Sequence, residues 1–169
     1  MVKLKYTFYI TIFLIIRAYL FLLIVVILMM AYFNFDSYFV FAFGIGYLIN
    51  VIPGLYLHLE YLHANRNIEY NIDYNNIRVK NRDGDTNYSK DEISKIIIYM
   101  CPSVFKNSGY RVWAIEDYYY ARIMIKNGDE LIISCLLTSK IEETLKVLEG
   151  VEIIRRKEIF CTLSLGYRG

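Results

Sequence analysis

The sequence predicts an α+β protein in which an N-terminal two-helix transmembrane hairpin is followed by an antiparallel β-barrel or sandwich capped by a C-terminal helix. The first observation is the distribution of charge in residues 1–66. This stretch is mostly apolar, and its charged side chains are Lys3, Lys5, Arg17, Asp36, Glu60 and Arg66. The second observation is that short alternating segments and polar turns begin at residue 67. Such a step marks a boundary between lipid and water. We therefore predict a membrane hairpin over 1–66 and a cytoplasmic domain over 67–169.

The first predicted helix spans about residues 8–33. It lies in an apolar run from Tyr6 to Phe33 that only Arg17 interrupts. A helix over the whole run would measure about 42 Å, which exceeds the ~30 Å hydrocarbon core. We expect Arg17 to lie near the inner interface, with its guanidinium reaching the headgroups. A cleaved signal peptide is the alternative, but the run is too long and no Ala-x-Ala site follows it.

The second predicted helix spans about residues 38–62 and follows a short polar break. Because the connection is short, the two helices are expected to form an antiparallel hairpin. Pro53 is expected to kink the second helix near its end. Gly44 and Gly46 either provide a face for close helix contact or reflect the glycine content of membrane helices.

The basic residues predict the orientation of the hairpin. Lys3, Lys5, Arg17 and Arg66 flank the apolar segments, whereas the tip carries Asp36 and no basic residue. Positively charged flanks remain on the inner side of a membrane. We therefore expect both termini in the cytoplasm.

About seven antiparallel strands are predicted after the hairpin. The segment 68–74 alternates apolar and polar residues, and Asn75-Asn76 turns the chain into a return strand at 77–81. Ser89 and Glu92 have the spacing of a capping box before a β-branched strand at 95–101. Further strands are predicted at 86–89, 111–115, 118–126 and 130–137, with a hairpin turn at 127–129 between the last two.

A helix is predicted after the last of these strands. Thr138 or Ser139 caps it, and Gly150 ends it. Three residues at helical spacing make its apolar face, namely Ile141, Leu145 and Leu148. The tail at 151–163 is predicted to be either a last strand or an amphipathic segment at the membrane.

Three segments resemble a known family, and they read PGLYLHLEYLHANRNIEYNID, DEISKIIIYMCPSVFKNSGYR and AIEDYYYARIMIKNGDELIISCLL. They are similar to small bacterial membrane proteins, seen especially in Bacteroidetes, that carry a pleckstrin-homology-like domain. The resemblance covers nearly the whole chain, including the hairpin. It implies two curved sheets closed at one corner by the C-terminal helix, and anchoring in the bacterial cytoplasmic (inner) membrane. It transfers no catalytic motif.

The polar residues do not predict a catalytic site, a metal site or a cofactor. His58, Glu60 and His63 suggest zinc, but histidines five residues apart lie roughly 140° apart around a helix. The segment 83–85 is typical of a hairpin turn and lacks the spaced oxygen ligands of a calcium loop. Without a close polar constellation, an enzyme is the least favoured class.

The cysteines and the net charge exclude further classes. Cys101, Cys135 and Cys161 are spaced neither as a disulfide framework nor as a zinc motif, and they suit a reducing compartment. Cys135 lies in an apolar run and is predicted to pack as a small hydrophobic residue. Basic and acidic residues are evenly balanced over 67–169, which argues against nucleic acid as a partner.

Two surfaces are candidates for contact with a membrane or a partner. Tyr118 and Tyr119 follow adjacent carboxylates, and they belong either to the core of the sheet or to a protein-contact surface. The basic residues are candidates for contact with anionic lipid or for an ordinary solvated face, and they are Arg17, Arg155, Arg156 and Lys157.

The sequence therefore favours a non-catalytic, membrane-anchored interaction module at the inner face of the cytoplasmic membrane. Its expected partners are the lipid bilayer, a protein and, as a further candidate, a second copy of the chain. An immunity protein that neutralises a membrane-acting toxin is the alternative, and a membrane enzyme is the third hypothesis.

Overall fold

The computed structural model describes residues 2–6, 19–82, 84–106 and 113–164. Its helices are α1 (Phe21–Tyr32), α2 (Ser37–Asn65), α3 (Pro102–Phe105) and α4 (Ile141–Leu145). Its strands are β1 (Val2–Lys5), β2 (Glu69–Ile72), β3 (Asn76–Lys80), β4 (Asp85–Ser89), β5 (Ile93–Met100), β6 (Tyr120–Ile125), β7 (Glu130–Ser134) and β8 (Ile153–Lys157). Within the described residues these strands form two four-stranded sheets, ordered β1-β2-β3-β4 and β7-β6-β5-β8.

Strand β1 joins the very start of the chain to the domain. It pairs antiparallel with β2, so that Val2 lies opposite Ile72 and Lys5 opposite Glu69. Leu4 is buried, whereas the ammonium groups of Lys3 and Lys5 lie 3.3 and 2.6 Å from the Glu69 carboxylate. The predicted division at residue 66 assigned these residues to the membrane segment. In the structure these residues form a strand of the domain. Both helices lie in the chain between β1 and β2, which pair with each other in one sheet.

The hairpin turns at Asn34 and Phe35, whose φ angles of 52° and 54° are left-handed. Asp36 then caps α2 by accepting a hydrogen bond of 2.9 Å from the backbone N–H of Tyr38. Helix α2 continues through Pro53 to its end. Among the described helices α2 is long and apolar enough to cross a membrane, and the described apolar part of α1 is shorter. Residues 8–18 of the predicted first helix, with Arg17, lie outside the described residues.

Of the two predicted alternatives, barrel and sandwich, the closed barrel is wrong, because the two sheets form an open arrangement. Strands β4 and β7 are edge strands, and no ladder joins them among the described residues. The second sheet is also mixed, because β8 runs parallel to β5. The tail that was predicted as either a strand or a membrane-lying segment is therefore a strand. A parallel neighbour needs a crossover connection, and the segment containing α4 supplies it.

Helix α4 caps the core between the sheets. The three residues predicted for its apolar face are buried, since Ile141, Leu145 and Leu148 are all at most 1% exposed, although Leu148 follows the helix. The predicted bounds are wrong, because α4 begins after Lys140, which takes the N-cap position in place of Thr138 or Ser139 and forms no side-chain cap, and ends at Leu145 rather than at Gly150. The capping box of Ser89 and Glu92 is confirmed as well. The strand predicted at 111–115 is wrong for its described part, since Ala114–Asp117 is a 3₁₀ turn.

Candidate functional site

One stripe of helix α2 packs against the domain. Its members recur at helical spacing and are buried, and they are Asn50, Gly54, Leu57, His58, Tyr61 and Asn65. Neighbouring apolar residues on the same helix remain exposed, including Ile49, Ile52 and Leu55. The C-terminal half of α2 is therefore an integral part of the domain core. We call the contact made by the buried stripe the junction.

Four tyrosines form the centre of the junction. Tyr61 of α2 meets the rings of Tyr118 and Tyr120 edge to face, with centroids 5.6 and 5.9 Å apart. Tyr120 in turn stacks on Tyr99 at 4.8 Å. All four rings are at most 2% exposed. Aromatic pairs of this kind each stabilise by about 0.5–1.5 kcal/mol beyond the burial of their surface.

Hydrogen bonds engage the hydroxyls of Tyr118 and Tyr61. Nδ1 of His58 and the hydroxyl of Tyr118 lie 2.9 Å apart, and the hydroxyl of Tyr61 donates to the carbonyl of Cys161 at 2.6 Å. Burial raises the pKa of the Tyr118 phenol above its usual value, so this hydroxyl keeps its proton. These hydrogen bonds fix the rotation of α2 about its own axis, because His58 and Tyr61 reach their partners only when their face of the helix is turned toward the domain.

Glu60 holds the segment that follows β8. Its carboxylate accepts a hydrogen bond from the Thr162 hydroxyl at 2.8 Å, and others from the backbone N–H groups of Leu163 and Ser164 at 3.0 and 3.3 Å. Hydrogen bonds to a charged group contribute more than neutral ones, about 1.5–3 kcal/mol. Glu60 therefore forms a clasp between α2 and the segment that follows β8.

We expect Glu60→Gln to loosen this clasp. A carboxamide keeps one acceptor oxygen and turns its other end into a donor, so it cannot accept from all three groups. Amide hydrogen exchange at Leu163 and Ser164 should accelerate by about tenfold or more, which corresponds to about 1.4 kcal/mol or more. His63→Gln is the matched control on an exposed turn of the same helix. Equal exchange in wild type and Glu60→Gln would contradict the assigned role.

Gly54 permits the closest approach between α2 and the domain. A Cβ atom at this position would lie 2.8 Å from the Cβ of Ala114 and 2.9 Å from the hydroxyl of Tyr19. One helical turn earlier, Asn50 accepts a hydrogen bond of 3.0 Å from the backbone N–H of Ala114. By contrast, nothing lies within 4 Å of a Cβ built at Gly44 or Gly46, the two glycines considered for close contact.

The residues predicted to contact a membrane or a partner have different environments in the structure. Tyr118 is buried within the chain, so its partner is α2 and it offers no surface to another molecule. Tyr119 is half-buried, and its hydroxyl donates to the carbonyl of Ser139 at 2.6 Å. Arg17 lies outside the described residues.

The basic cluster lies on the edge strand β8 and is partly neutralised. Nε of Arg155 donates to the Glu142 carboxylate at 2.9 Å. The guanidinium of Arg156 lies 5.9 Å from the centre of the Tyr99 ring, which is within range of a cation–π contact. Lys157 is exposed. The strand therefore presents fewer uncommitted charges than its sequence indicates.

The Glu142–Arg155 pair predicts a small acid sensitivity. The hydrogen bond from Arg155 lowers the pKa of Glu142 below its usual value, against an opposing effect of burial. A group with a depressed folded-state pKa stabilises the fold above its unfolded pKa, and this contribution is lost as the pH falls through the folded value. Below about pH 4.5, the usual value, the melting temperature should therefore fall more in wild type than in Glu142→Gln. Parallel acid curves for the two proteins would contradict the pairing.

The open side between the sheets forms a groove of about 340 Å³. The edge strands β4 and β7 line it, with Thr86 and Tyr88 on one side and Leu131 and Ile132 on the other. Two hydroxyls bridge across, since Tyr70 donates to the Ile132 carbonyl at 3.0 Å and Tyr88 to the Asp129 carboxylate at 3.1 Å. We call this feature the seam.

A model of the PH (pleckstrin-homology) domain family matches residues 1–145. The chain belongs to the PH domain family. The matched range begins before β1 and ends with α4, so both helices lie inside it. No curated protein and no solved structure matches the chain.

PH domains are typically interaction modules without catalytic activity, and the site in this PH domain is consistent with that role. Among the described residues, no group of three or more His, Cys, Asp and Glu side chains could hold a metal ion. The residues suspected of binding zinc have other tasks, since His58 contacts Tyr118 and Glu60 holds the C-terminal segment. The polar groups of the junction therefore act by fixing one element to another.

Sequence reasoning missed the junction, although a signal for it is present. Asn50, Gly54, His58, Tyr61 and Asn65 are small or polar residues that recur every three or four positions in an otherwise apolar helix. Small and polar residues at that spacing predict a helix face that packs against protein and not against lipid. His58 lies on this buried face, whereas His63 lies on a different face and is exposed.

Proposed function

We propose that this chain is a non-catalytic, membrane-anchored interaction module. The observation that carries the proposal is the pairing of β1 with β2 across the helical hairpin. PH domains commonly mediate contacts with proteins or lipids, and the family assignment supports a binding role.

The pairing of β1 with β2 constrains how the chain meets a bilayer. Residues 2–5 and 69–72 lie in one sheet, so they are on the same side of any membrane. The segment between them therefore crosses an even number of times. If α2 crosses, a return crossing must lie within residues 6–36, and the apolar run containing α1 is suited to it. The pairing of β1 with β2 therefore supports a hairpin of two crossing helices.

The flanking charges support placing the domain in the cytoplasm. Lys3, Lys5 and Arg66 lie at the domain end of the hairpin, and the tip carries Asp36. The resemblance to bacterial membrane proteins favours the inner membrane, and the flanking charges favour both termini on the inner side.

The seam is the surface that suits a protein partner. Among the described strands, β4 and β7 each pair with a neighbour on one side only. An extended segment of a partner can add to such an edge through main-chain hydrogen bonds. Fixing the domain at the membrane raises the effective concentration of a partner held in the same membrane. The module needs no chemistry beyond binding to work in this way.

Photo-crosslinking from the seam tests the binding role. A photoreactive amino acid replaces Thr86 in the seam or, as a control, the exposed Glu149 after α4. We expect a discrete membrane-associated adduct from position 86 and none from 149. Adducts of equal yield from both positions, or none from either, would contradict the proposed role.

Two other functions remain hypotheses. Toxin immunity would appear as co-purification of a membrane-acting toxin with the chain. A membrane enzyme would show turnover that survives detergent extraction and is lost on a single polar substitution.

A further inference from the structure

The domain contacts α2 far from the end of that helix. Ala114 bonds to Asn50 and packs against Gly54, whereas α2 continues to Asn65. The 3₁₀ turn Ala114–Asp117 therefore lies beside the middle of the helix. A domain hanging from the membrane on a linker would leave this part of α2 in contact with lipid alone.

The length of α2 places these contacts relative to the bilayer. The helix begins at Ser37, directly after the polar tip. About 20 residues cross a ~30 Å hydrocarbon core, so the crossing runs from Ser37 to about Tyr56. Asn50 lies six residues before Tyr56, which is about 9 Å along the helix axis. The turn that bonds to Asn50 is thus at or below the level of the headgroups.

Apolar side chains lie beside this turn and beside the neighbouring part of α2. Trp113 precedes it and is 51% exposed, Phe105 ends α3 and is 41% exposed, and Ile159 is 77% exposed. Phe160 stacks on Tyr56 of α2, with ring centres 6.2 Å apart. We call Phe105, Trp113, Ile159 and Phe160 the rim.

The exposed charges beside the rim are basic, whereas Glu116 and Glu158 are half-buried and Glu116 accepts a hydrogen bond from the backbone N–H of Trp113. Lys106 follows Phe105, and Lys157 lies two residues before Ile159, and both side chains are exposed. Tryptophan and other aromatic rings prefer the headgroup level, and a lysine next to them can reach the phosphates. Ile52 and Leu55, which lie close to Tyr56 on α2, are exposed as well.

We infer that the rim seats the domain in the lipid interface of the membrane that α2 crosses. The occupant of this surface is the bilayer itself, which covers the apolar side chains and neutralises Lys106 and Lys157. The inference rests on the proposed crossing of the hairpin. It adds that the domain has one fixed height and orientation above the membrane.

Trp113 is the only tryptophan of the chain, so the tryptophan fluorescence reports the depth of this one side chain in the bilayer. The full-length protein is reconstituted in phosphatidylcholine–phosphatidylglycerol vesicles that contain lipids brominated near the headgroup or near the acyl end. We expect bromine within the bilayer to quench the Trp113 emission, and aqueous acrylamide to quench it little. Free access of acrylamide without bromine quenching would overturn the inference. Protection from both quenchers would also overturn it, because protein would then cover the rim.

A second reporter separates this inference from the crossing of the hairpin. In Trp113→Phe with Tyr38→Trp, the tryptophan lies at the hairpin tip. Bromine quenching at the tip with none at Trp113 would mean that the hairpin inserts and the domain is not seated. Absence of quenching at both positions would mean that the hairpin does not insert, which contradicts the proposed function.

Discussion

Leu145→Asp is expected to abolish the folded domain. Leu145 is 0% exposed and packs with the apolar residues of both sheets. An unpaired carboxylate at this position costs several kcal/mol, and the whole stability of a domain is only about 5–15 kcal/mol. In the detergent-solubilised full chain, we expect the near-ultraviolet circular dichroism and the cooperative thermal transition to be lost.

Leu145→Met is the matched control for this prediction. It conserves volume and apolarity, and such swaps cost less than about 1.5 kcal/mol. The control should keep a cooperative transition at a slightly lower temperature. If Leu145→Asp melted like the control, then α4 would not cap the core in the way the structure shows.

Gly54→Leu is expected to separate α2 from the domain without unfolding the sheets. Even the first added atom would lie 2.8 Å from Ala114 Cβ, and the contact distance between carbon atoms is about 3.5–4.0 Å. Overpacking of this kind costs about 1–3 kcal/mol, and a helix can relieve it by shifting outward. The shift breaks the hydrogen bond between Asn50 and the Ala114 amide. We therefore expect faster amide exchange in residues 113–118 and little change in β5 and β6.

Gly46→Leu provides the control on the same helix, because nothing lies within 4 Å of a Cβ at Gly46. Its amide exchange should match wild type. The smaller substitution Gly54→Ala should also lower the protection of residues 113–118 from exchange. Adding Ala114→Gly to that variant should restore part of the protection, because it removes the Cβ atom of Ala114 that lies nearest to position 54. If Gly46→Leu and Gly54→Leu behaved alike, the effect would come from the helix alone and not from the junction.

Local patterns predicted the parts of the fold that depend on neighbouring residues. The capping box at Ser89 and Glu92 and the apolar face of α4 involve residues three or four positions apart, so the sequence contains the whole interaction. The hairpin turn before β7 is another case, since Gly128 has a φ of 96° as such a turn requires. Cys135 lies in an apolar run and is buried as predicted.

The remaining features depend on residues far apart in the chain. Strand β1 has only four residues, too few for a convincing period, and its partner β2 lies beyond the entire hairpin. The parallel placement of β8 requires a crossover that no local pattern specifies. The donors to Glu60 lie about a hundred residues further along the chain, between Thr162 and Ser164. These contacts form only once the two sheets and α2 are assembled.

The central claim is that a membrane-crossing hairpin is inserted between two strands that stay on one side. Labelling single cysteines with a membrane-impermeant maleimide tests this most directly. Lys3→Cys in β1, Asn87→Cys in β4 and Ser37→Cys at the tip are compared in intact bacterial spheroplasts and after permeabilisation. The wild-type chain, whose three cysteines are buried, gives the background. We expect Ser37→Cys to react in intact spheroplasts, and Lys3→Cys and Asn87→Cys to react only after permeabilisation. Reaction of Lys3→Cys and Asn87→Cys from opposite sides, or of all three positions from the same side, would contradict the account.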